Sequence, residues 1–255
     1  MEGQTQDCLN ALEGQLLQGD LACPFRGVSI NSRTVAKGEL FVCIKGDRFD
    51  GHDFLADVIE KQVGGIILSD PEKLPSKPVR PEEEPFVIHV QDTLKALQDL
   101  ASFQRKRFPF QVVAVTGTNG KSTTKEMIAS ILETKFKTLK TQGNLNNHIG
   151  LPLTLLKREP SHEMGVLELG MSAAGDIKRL AEIAQPDIGV ITNISEGHLV
   201  QLKNLKDIQS AKGELFDALT EESTAIVNAD DPLVLELAQS LRAKTVTFGI
   251  DHPAD

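Results

Sequence analysis

The chain has 255 residues, enough for two domains, and its 40% apolar and 25% charged residues are typical of a soluble globular protein. Its formal charge of −9 argues against general nucleic-acid binding, but nucleotides remain possible ligands because they need only local positive groups. The three cysteines lack the spacing of a metal site or a disulfide framework, and no apolar stretch resembles a signal peptide or a membrane span. We therefore expect a cytoplasmic protein that does not insert into membranes.

Residues 1–109 have the pattern of a small α/β domain. Helices are predicted at 8–17, at 55–62 and from Asp92 to about 107, and strands at 28–30, 40–44, 66–68 and 86–90. The stretch 70–85 contains five prolines and predicts a linker. Pro109 marks the expected end of this domain.

From residue 110 onward, strands and helices alternate. Strands are predicted at 112–116, 164–168, 188–192, 224–228 and 244–248, and helices at 122–134, 175–184, 205–219 and 231–241. This alternation predicts a parallel sheet with helices on both faces. Ligands of such sheets bind beyond the carboxyl ends of the strands, so the residues that follow each strand are the functional candidates.

The most specific of these candidates is the sequence Thr-Gly-Thr-Asn-Gly-Lys-Ser at 116–122. It joins an apolar strand to a helix, and its glycines let the backbone approach an anion. Lys121 is predicted to reach the outer phosphates of a nucleotide, and the Ser122 hydroxyl to hold Mg²⁺. Because the general phosphate-loop pattern has a glycine where this chain has Val115, the alternative is a tight turn with a chance lysine.

Several polar residues follow the other predicted strands. Glu168 ends a buried strand and is a candidate Mg²⁺ ligand, with an ordinary surface acid as the alternative. His198 could bind a metal, donate a hydrogen bond or simply lie in a loop. Lys212 by itself has the pattern of a solvated helix lysine. The asparagine-rich segment 144–152 is polar enough to hold a phosphate or a sugar.

Taken together, these segments resemble the Mur ligases, the ATP-dependent amide ligases of peptidoglycan precursor synthesis. The matching segments are TGTNGKS at 116–122, QGNLNNHIGLP at 142–152, ELGM at 168–171, TNISEGH at 192–198 and AKGELF at 211–216. Residues 32–54 also resemble the UDP-sugar-binding domain of the family. The resemblance covers nearly the whole chain and is strongest to the members that add D-alanyl-D-alanine.

The resemblance implies an α/β fold with two domains. Residues 1–109 would form a small UDP-sugar-binding domain, and 110–255 an incomplete, Rossmann-like ATP-binding domain with a P-loop and a parallel sheet. The uridine diphosphate end would be held by Ser32, Arg33 and the loop with Arg48, Asp50, Gly51 and His52, and further substrate contacts would come from Lys45, Asn146 and Asn147.

The resemblance also assigns the ATP and metal ligands. ATP would contact Thr118, Asn119, Gly120, Lys121, Ser122 and Thr123. One Mg²⁺ would be held by Ser122 and Glu168 and a second would lie near His198, with Lys212 also among the metal ligands. Lys121, His198 and Lys212 would have catalytic roles, and Lys212 would become a metal-binding anion by carbamylation.

The implied reaction has two steps. The carboxylate of a UDP-N-acetylmuramoyl tripeptide attacks the γ-phosphate of ATP, and the amine of D-alanyl-D-alanine then displaces phosphate from the acyl phosphate. Family members continue beyond the position of Asp255 into a further domain, so we expect a truncated, monomeric chain that cannot complete the ligation alone. The rivals are a diaminopimelate- or lysine-adding ligase, a folylpolyglutamate synthase, and a nucleotide- or UDP-sugar-binding fragment without ligase activity.

Overall fold

The computed structural model describes residues 1–46, 48–75, 84–196 and 204–255. The chain divides into two compact units, Met1–Gln104 and Arg105–Asp255, each with a large sheet of its own. The domain junction predicted after Pro109 stays a prediction. Within the described ranges, no helix is both long enough and apolar enough to cross a membrane.

The first unit is a mixed α/β structure, as predicted. In chain order its elements are β1 (Glu2–Gln4), α1 (Thr5–Ala11), β2 (Gly14–Gln18), β3 (Pro24–Arg26), β4 (Val28–Ser29), β5 (Leu40–Val42), α2 (Leu55–Glu60), β6 (Gly65–Leu68), β7 (Phe86–Val90) and α3 (Thr93–Arg107). The described strands form a sheet in the order β2-β7-β6-β5-β4, in which only the edge strand β2 runs antiparallel to its neighbour. Strands β1 and β3 pair separately.

The single helix predicted at 8–17 is wrong. Helix α1 ends at Ala11, and residues 14–18 form the edge strand β2 instead. Gly14 allows this pairing, because a Cβ there would lie 2.9 Å from the carbonyl oxygen of His89 on β7. The leucines at 12, 16 and 17 suit a helix face in sequence, but pairing with β7 overrides that preference.

The second unit has the predicted parallel sheet. Its elements are β8 (Gln111–Thr116), α4 (Lys121–Leu132), β9 (Thr138–Lys140), α5 (Gly150–Leu156), β10 (Met164–Glu168), α6 (Asp176–Ala184), β11 (Ile188–Ile191), α7 (Leu205–Asp217), β12 (Thr224–Asn228), α8 (Pro232–Ala238) and β13 (Lys244–Phe248). All described strands are parallel, in the order β13-β12-β11-β8-β10-β9. Strand β9 and helix α5 were not predicted from the sequence.

The central strand β8 lies where the order of the sheet reverses. Strands β9 and β10 lie on one side of β8, and β11, β12 and β13 lie on the other. The core beneath is a buried cluster that includes Val113, Val115 and Val166. The carboxyl ends of β8, β10 and β11 therefore meet at the crevice where sheets of this type bind ligands.

Candidate nucleotide and metal site

Residues 117–120 connect β8 to α4 through a backbone that only glycine tolerates at two positions. Gly117 has φ +147°, and a Cβ there would lie 1.9 Å from the Thr192 hydroxyl oxygen. Gly120 has φ +78° and precedes α4, and no side chain in the described part of the chain caps that helix. The first backbone N–H groups of α4 therefore remain available to an anion.

The segment after β11 fixes the shape of this loop. The N–H of Thr118 donates to the Asn193 carbonyl oxygen at 2.9 Å, and the N–H of Asn119 donates to Asn193 Oδ1 at 3.0 Å. The Thr118 hydroxyl donates to the Ser195 carbonyl oxygen at 3.1 Å. Two of the predicted ATP contacts, Thr118 and Asn119, thus hold the loop in its conformation.

Lys121 folds back over the loop. Its Nζ donates to the carbonyl oxygens of Gly117 and Thr118 at 2.9 and 3.0 Å. The side chain is half-buried, and this burial lowers the pKa of Lys121 while the nearby Glu168 charge opposes the shift. The ammonium group therefore lies at the phosphate loop, as the sequence predicts.

Glu168 is buried, which rules out the ordinary surface acid. Its side chain is only 2% exposed, and Oε2 accepts a hydrogen bond from the Ser122 hydroxyl at 2.8 Å. Oε1 accepts from Asn146 Nδ2 at 2.8 Å, and the backbone N–H of Glu168 donates to Thr141 Oγ1 at 3.0 Å. The two predicted metal ligands, Ser122 and Glu168, are therefore in direct contact.

Lys212 on α7 is also buried, so it is not a solvated helix lysine. It is 1% exposed, and its Nζ donates to the Gly117 carbonyl oxygen at 2.8 Å. Burial, and then the positive charge of Lys121, lowers the pKa of Lys212 to about 7. The group is therefore an amine that can lose its proton near neutral pH.

These side chains share one cleft of about 530 Å³. The residues that line it are Gly117, Lys121, Ser122, Asn144, Asn146, Asn147, His148, Glu168, Leu169, Gly170, Met171, Ser172, Asp176, Arg179, Leu180 and Lys212. The mixture of two carboxylates with lysine and arginine side chains suits a phosphate ligand and its metal ion.

The donor set fits Mg²⁺ that arrives with phosphate. Among the described residues, no group of three or more His, Cys, Asp or Glu could hold a metal ion. Ser122 and Glu168 instead supply two oxygens, and Mg²⁺ commonly takes one or two protein oxygens and completes its shell with water and phosphate. The predicted ligand His198 lies outside the described residues.

The predicted uridine diphosphate residues lie in the first unit, where two of them have evident structural roles. His52 is 3% exposed; its Nδ1 lies 2.5 Å from Asp50 Oδ1, and its Nε2 accepts from the Ser69 N–H at 2.9 Å. A Cβ at Gly51 would lie 2.9 Å from the Cα of Cys43. His52 and Gly51 thus hold residues 50–53 in place, and neither ring nitrogen of His52 is left for a ligand.

The other candidates of this unit are more accessible. Arg33, Lys45 and Arg48 are exposed, and Ser32 is half-buried. Partial burial raises the pKa of Asp50, but hydrogen bonds from His52 and Lys73 outweigh it and lower that pKa to about 2. Asp50 is therefore an anion that anchors the loop. Contact of these residues with a ligand stays a prediction.

Asn147, predicted to bind substrate, orders the backbone that enters helix α5. Its Oδ1 accepts from the backbone N–H groups of Ile149 and Gly150 at 3.1 and 2.8 Å, at the start of α5. Asn146 donates its own hydrogen bond, from Nδ2 to Glu168 Oε1. Both amides therefore have structural partners in the second unit, and a contact with substrate stays a prediction.

Comparisons with known proteins agree with this geometry. A family profile described as "Mur ligase middle domain" matches residues 115–255, and one described as "Mur ligase family, catalytic domain" matches residues 24–105. The chain belongs to the Mur ligase family. It spans about half the length of the curated relatives it matches.

Individual relatives and solved structures show which members of the family this chain is similar to. The Bacillus subtilis UDP-N-acetylmuramoyl-tripeptide–D-alanyl-D-alanine ligase is 41% identical over 241 residues, which cover 92% of this Mur ligase chain and 51% of that protein. The crystal structure of MurF from Acinetobacter baumannii gives a TM-score of 0.88 at 31% identity, over 98% of this chain and 54% of that one. The MurF ligase of Thermotoga maritima in complex with ADP gives a TM-score of 0.77 at 34% identity, over 89% of this chain and 51% of that one.

One buried side chain beside the Mur ligase site was not among the predicted site residues. Lys125 lies one helical turn after Lys121 on α4 and is 1% exposed. Its Nζ donates to the Thr141 carbonyl oxygen at 2.8 Å and lies 4.0 Å from Glu168 Oε2. The i, i+4 spacing from Lys121 was the available signal, because such residues share one face of a helix.

Proposed function

We propose that this Mur ligase chain belongs to an ATP-dependent enzyme that joins D-alanyl-D-alanine to a UDP-N-acetylmuramoyl tripeptide. The observation that carries the proposal is the convergence of Lys121, Ser122, Glu168 and Lys212 in one cleft. The names of the relatives support the choice of substrates. The same proposal places the enzyme in the cytoplasm, as a monomer, in peptidoglycan precursor synthesis.

The chemistry needs two anions to meet. The substrate carboxylate must approach the γ-phosphate of ATP, and the amine must then displace phosphate from the activated carbonyl. The backbone N–H groups at the start of α4 and the Lys121 ammonium hold the phosphates. Mg²⁺ bound at Ser122 and Glu168 would offset the negative charge of both reactants.

Lys212 acts as a carbamylated metal ligand in this proposal. A lysine must be neutral to take up CO₂, and burial brings the pKa of Lys212 down to about 7. The carbamate would convert a buried cation into an anion beside the phosphate loop. This change would reconcile Lys212 with a role as a metal ligand, which its ammonium form does not allow.

Binding and turnover measurements separate the proposal from its rivals. A D-alanyl-D-alanine ligase should bind UDP-muramoyl tripeptide at least ten-fold more tightly than UDP-muramoyl dipeptide in calorimetry. Preference for the dipeptide would assign the chain to an amino-acid-adding ligase, and preference for a folate to a folylpolyglutamate synthase. Because we expect this chain not to complete the ligation alone, mass spectrometry should find no ligated product from it, and pentapeptide formed at an ordinary enzymatic rate would contradict that expectation.

A further inference from the structure

Lys125 and Glu168 form a buried pair of opposite charges behind the phosphate loop. Lys125 is 1% exposed and Glu168 is 2% exposed, and their charged atoms lie 4.0 Å apart. Replacing buried ion pairs with apolar residues is often neutral or even stabilising, so stability alone gives little reason for this pair. A role in the neighbouring site is the better explanation.

The lysine is held in place by groups other than Glu168. Its Nζ donates to the Thr141 carbonyl oxygen at 2.8 Å and lies 3.1 Å from Glu126 Oε1. Thr141 also accepts the backbone N–H of Glu168, so one residue fixes both members of the pair. The positive charge therefore stays beside the carboxylate whether or not a metal ion is bound.

The position of this charge opposes a metal ion that arrives alone. A Mg²⁺ ion on Glu168 Oε2 would lie about 2.1 Å from that oxygen and hence within about 6 Å of Lys125 Nζ. Glu126 also contacts Lys125, but it is exposed to solvent and pairs with Lys140 at 2.9 Å, so Lys125 is left to balance the buried Glu168. Free Mg²⁺ therefore gains little from the site and is repelled by the ammonium group. The phosphates of a nucleotide bring the missing negative charge.

We propose that Lys125 makes this site selective for the metal–nucleotide complex over the free divalent cation. It acts as a specificity residue that does not touch the substrate: it balances Glu168 until phosphate arrives. The inference rests on the proposed function, because it takes Glu168 and Ser122 as the metal ligands.

The test measures binding of Mn²⁺, a paramagnetic substitute for Mg²⁺, by electron paramagnetic resonance without and with ADP. Lys125→Met keeps the volume of the stem, and Lys125→Gln keeps a donor to Thr141; both remove the charge. We expect either variant to bind Mn²⁺ at least ten-fold more tightly than wild type in the absence of ADP. If one variant does not fold, the other gives the answer.

Lys140→Met is the matched control. Lys140 also contacts Glu126, at 2.9 Å, but lies on β9 and is partly exposed. Lys140→Met should leave Mn²⁺ binding unchanged. Lys125 variants that bind free Mn²⁺ no more tightly than wild type would overturn the inference, as would wild-type protein that binds it as tightly without ADP as with it. If wild type binds no Mn²⁺·ADP at all, the proposed function fails as well. If wild type binds Mn²⁺·ADP but the Lys125 variants do not gain affinity for free Mn²⁺, only the role of Lys125 fails.

Discussion

At the scale of single residues, the site depends on three lysines with different surroundings. Lys121 is half-buried and bonded to the phosphate loop, whereas Lys125 and Lys212 are 1% exposed. Burial of an ammonium group costs free energy unless neighbouring groups compensate for it. Lys125 has two carboxylates nearby, but Lys212 faces a carbonyl oxygen and the positive Lys121, which explains why its pKa falls.

The lowered pKa of Lys212 predicts how stability depends on pH. Folding lowers this pKa from 10.5 to about 7, so between these values the unfolded chain binds a proton that the folded chain does not. Lys212 therefore makes the free energy of unfolding rise with pH over this window. In urea unfolding, we expect the free energy of unfolding of wild type minus that of Lys212→Met to rise by up to about 1.4 kcal/mol per pH unit.

Lys206→Met is the control for that experiment, because Lys206 lies exposed on the same helix. It should give a difference from wild type that does not change with pH. A difference for Lys212→Met that is also constant from about pH 7 to 10 would show that Lys212 is not deprotonated in the folded protein.

Lys121 should carry much of the affinity for nucleotide. Lys121→Ala removes the ammonium group at the phosphate loop, and we expect at least a ten-fold loss of ADP affinity in calorimetry. Lys135→Ala, an exposed lysine just beyond α4, should have no such effect. Unchanged ADP affinity in the Lys121 variant would remove the phosphate-loop assignment.

The sequence predicted the contact of Ser122 with Glu168 but not the burial of Lys125. The contact of Ser122 with Glu168 follows from the rule that the carboxyl ends of adjacent parallel strands meet. Lys125 was hidden, because a lysine on a helix of mixed polarity has the pattern of a surface residue. Its burial depends on Thr141, which is distant in sequence.

At the scale of elements, helix α7 is fixed by contacts on nearly opposite sides. Lys212 reaches Gly117, whereas Glu214, two residues later, accepts hydrogen bonds from the N–H groups of Gly175 and Lys178 at 2.7 and 2.9 Å. Glu214 therefore caps the start of α6 from a neighbouring helix. This contact also holds α7, and with it Lys212, against the segment that lines the cleft.

Removing this cap should destabilise the second unit. Glu214→Ala leaves two N–H groups at the start of α6 without their carboxylate, and we expect a loss of about 1–2 kcal/mol in the free energy of unfolding. Urea denaturation measures this loss. Glu222→Ala, at an exposed turn position, should change it by less than about 0.5 kcal/mol. Equal effects of the two substitutions would show that the cap contributes nothing.

Element prediction succeeded for most strands of the parallel sheet. The predicted bounds 164–168, 224–228 and 244–248 coincide with β10, β12 and β13, since apolar β-branched runs between turn residues have few alternatives. It missed β1, β3 and β9, strands of three residues that carry little pattern, but it found the three-residue strand β5, which is apolar and buried throughout. Helix α5 was missed because its first residues belong to the polar segment 144–152, where Asn147 accepts a hydrogen bond from the Gly150 N–H at the start of the helix.

At the scale of the whole molecule, the chain is two units with separate cores. The first has its mixed sheet and a buried cluster around Phe41 and Ile66. The second has its parallel sheet and the cleft with Lys121 and Glu168. Because each sheet lies within its own unit, each proposed ligand can have contacts that do not require the other ligand.

The two proposed ligands should therefore give distinguishable perturbations. In NMR spectra of the whole 255-residue chain, Mg²⁺·ADP should shift signals within 105–255, and UDP-muramoyl tripeptide without ATP should shift signals within 1–104 as well as those of Asn146 and Asn147. Lys121→Ala should remove the first set of shifts and keep the second, and Arg33→Ala should do the reverse, since Arg33 is the exposed cation proposed for the diphosphate. Tripeptide shifts confined to residues after 105 would refute the role of the first unit, because its sheet and loops would then have no part in holding that substrate.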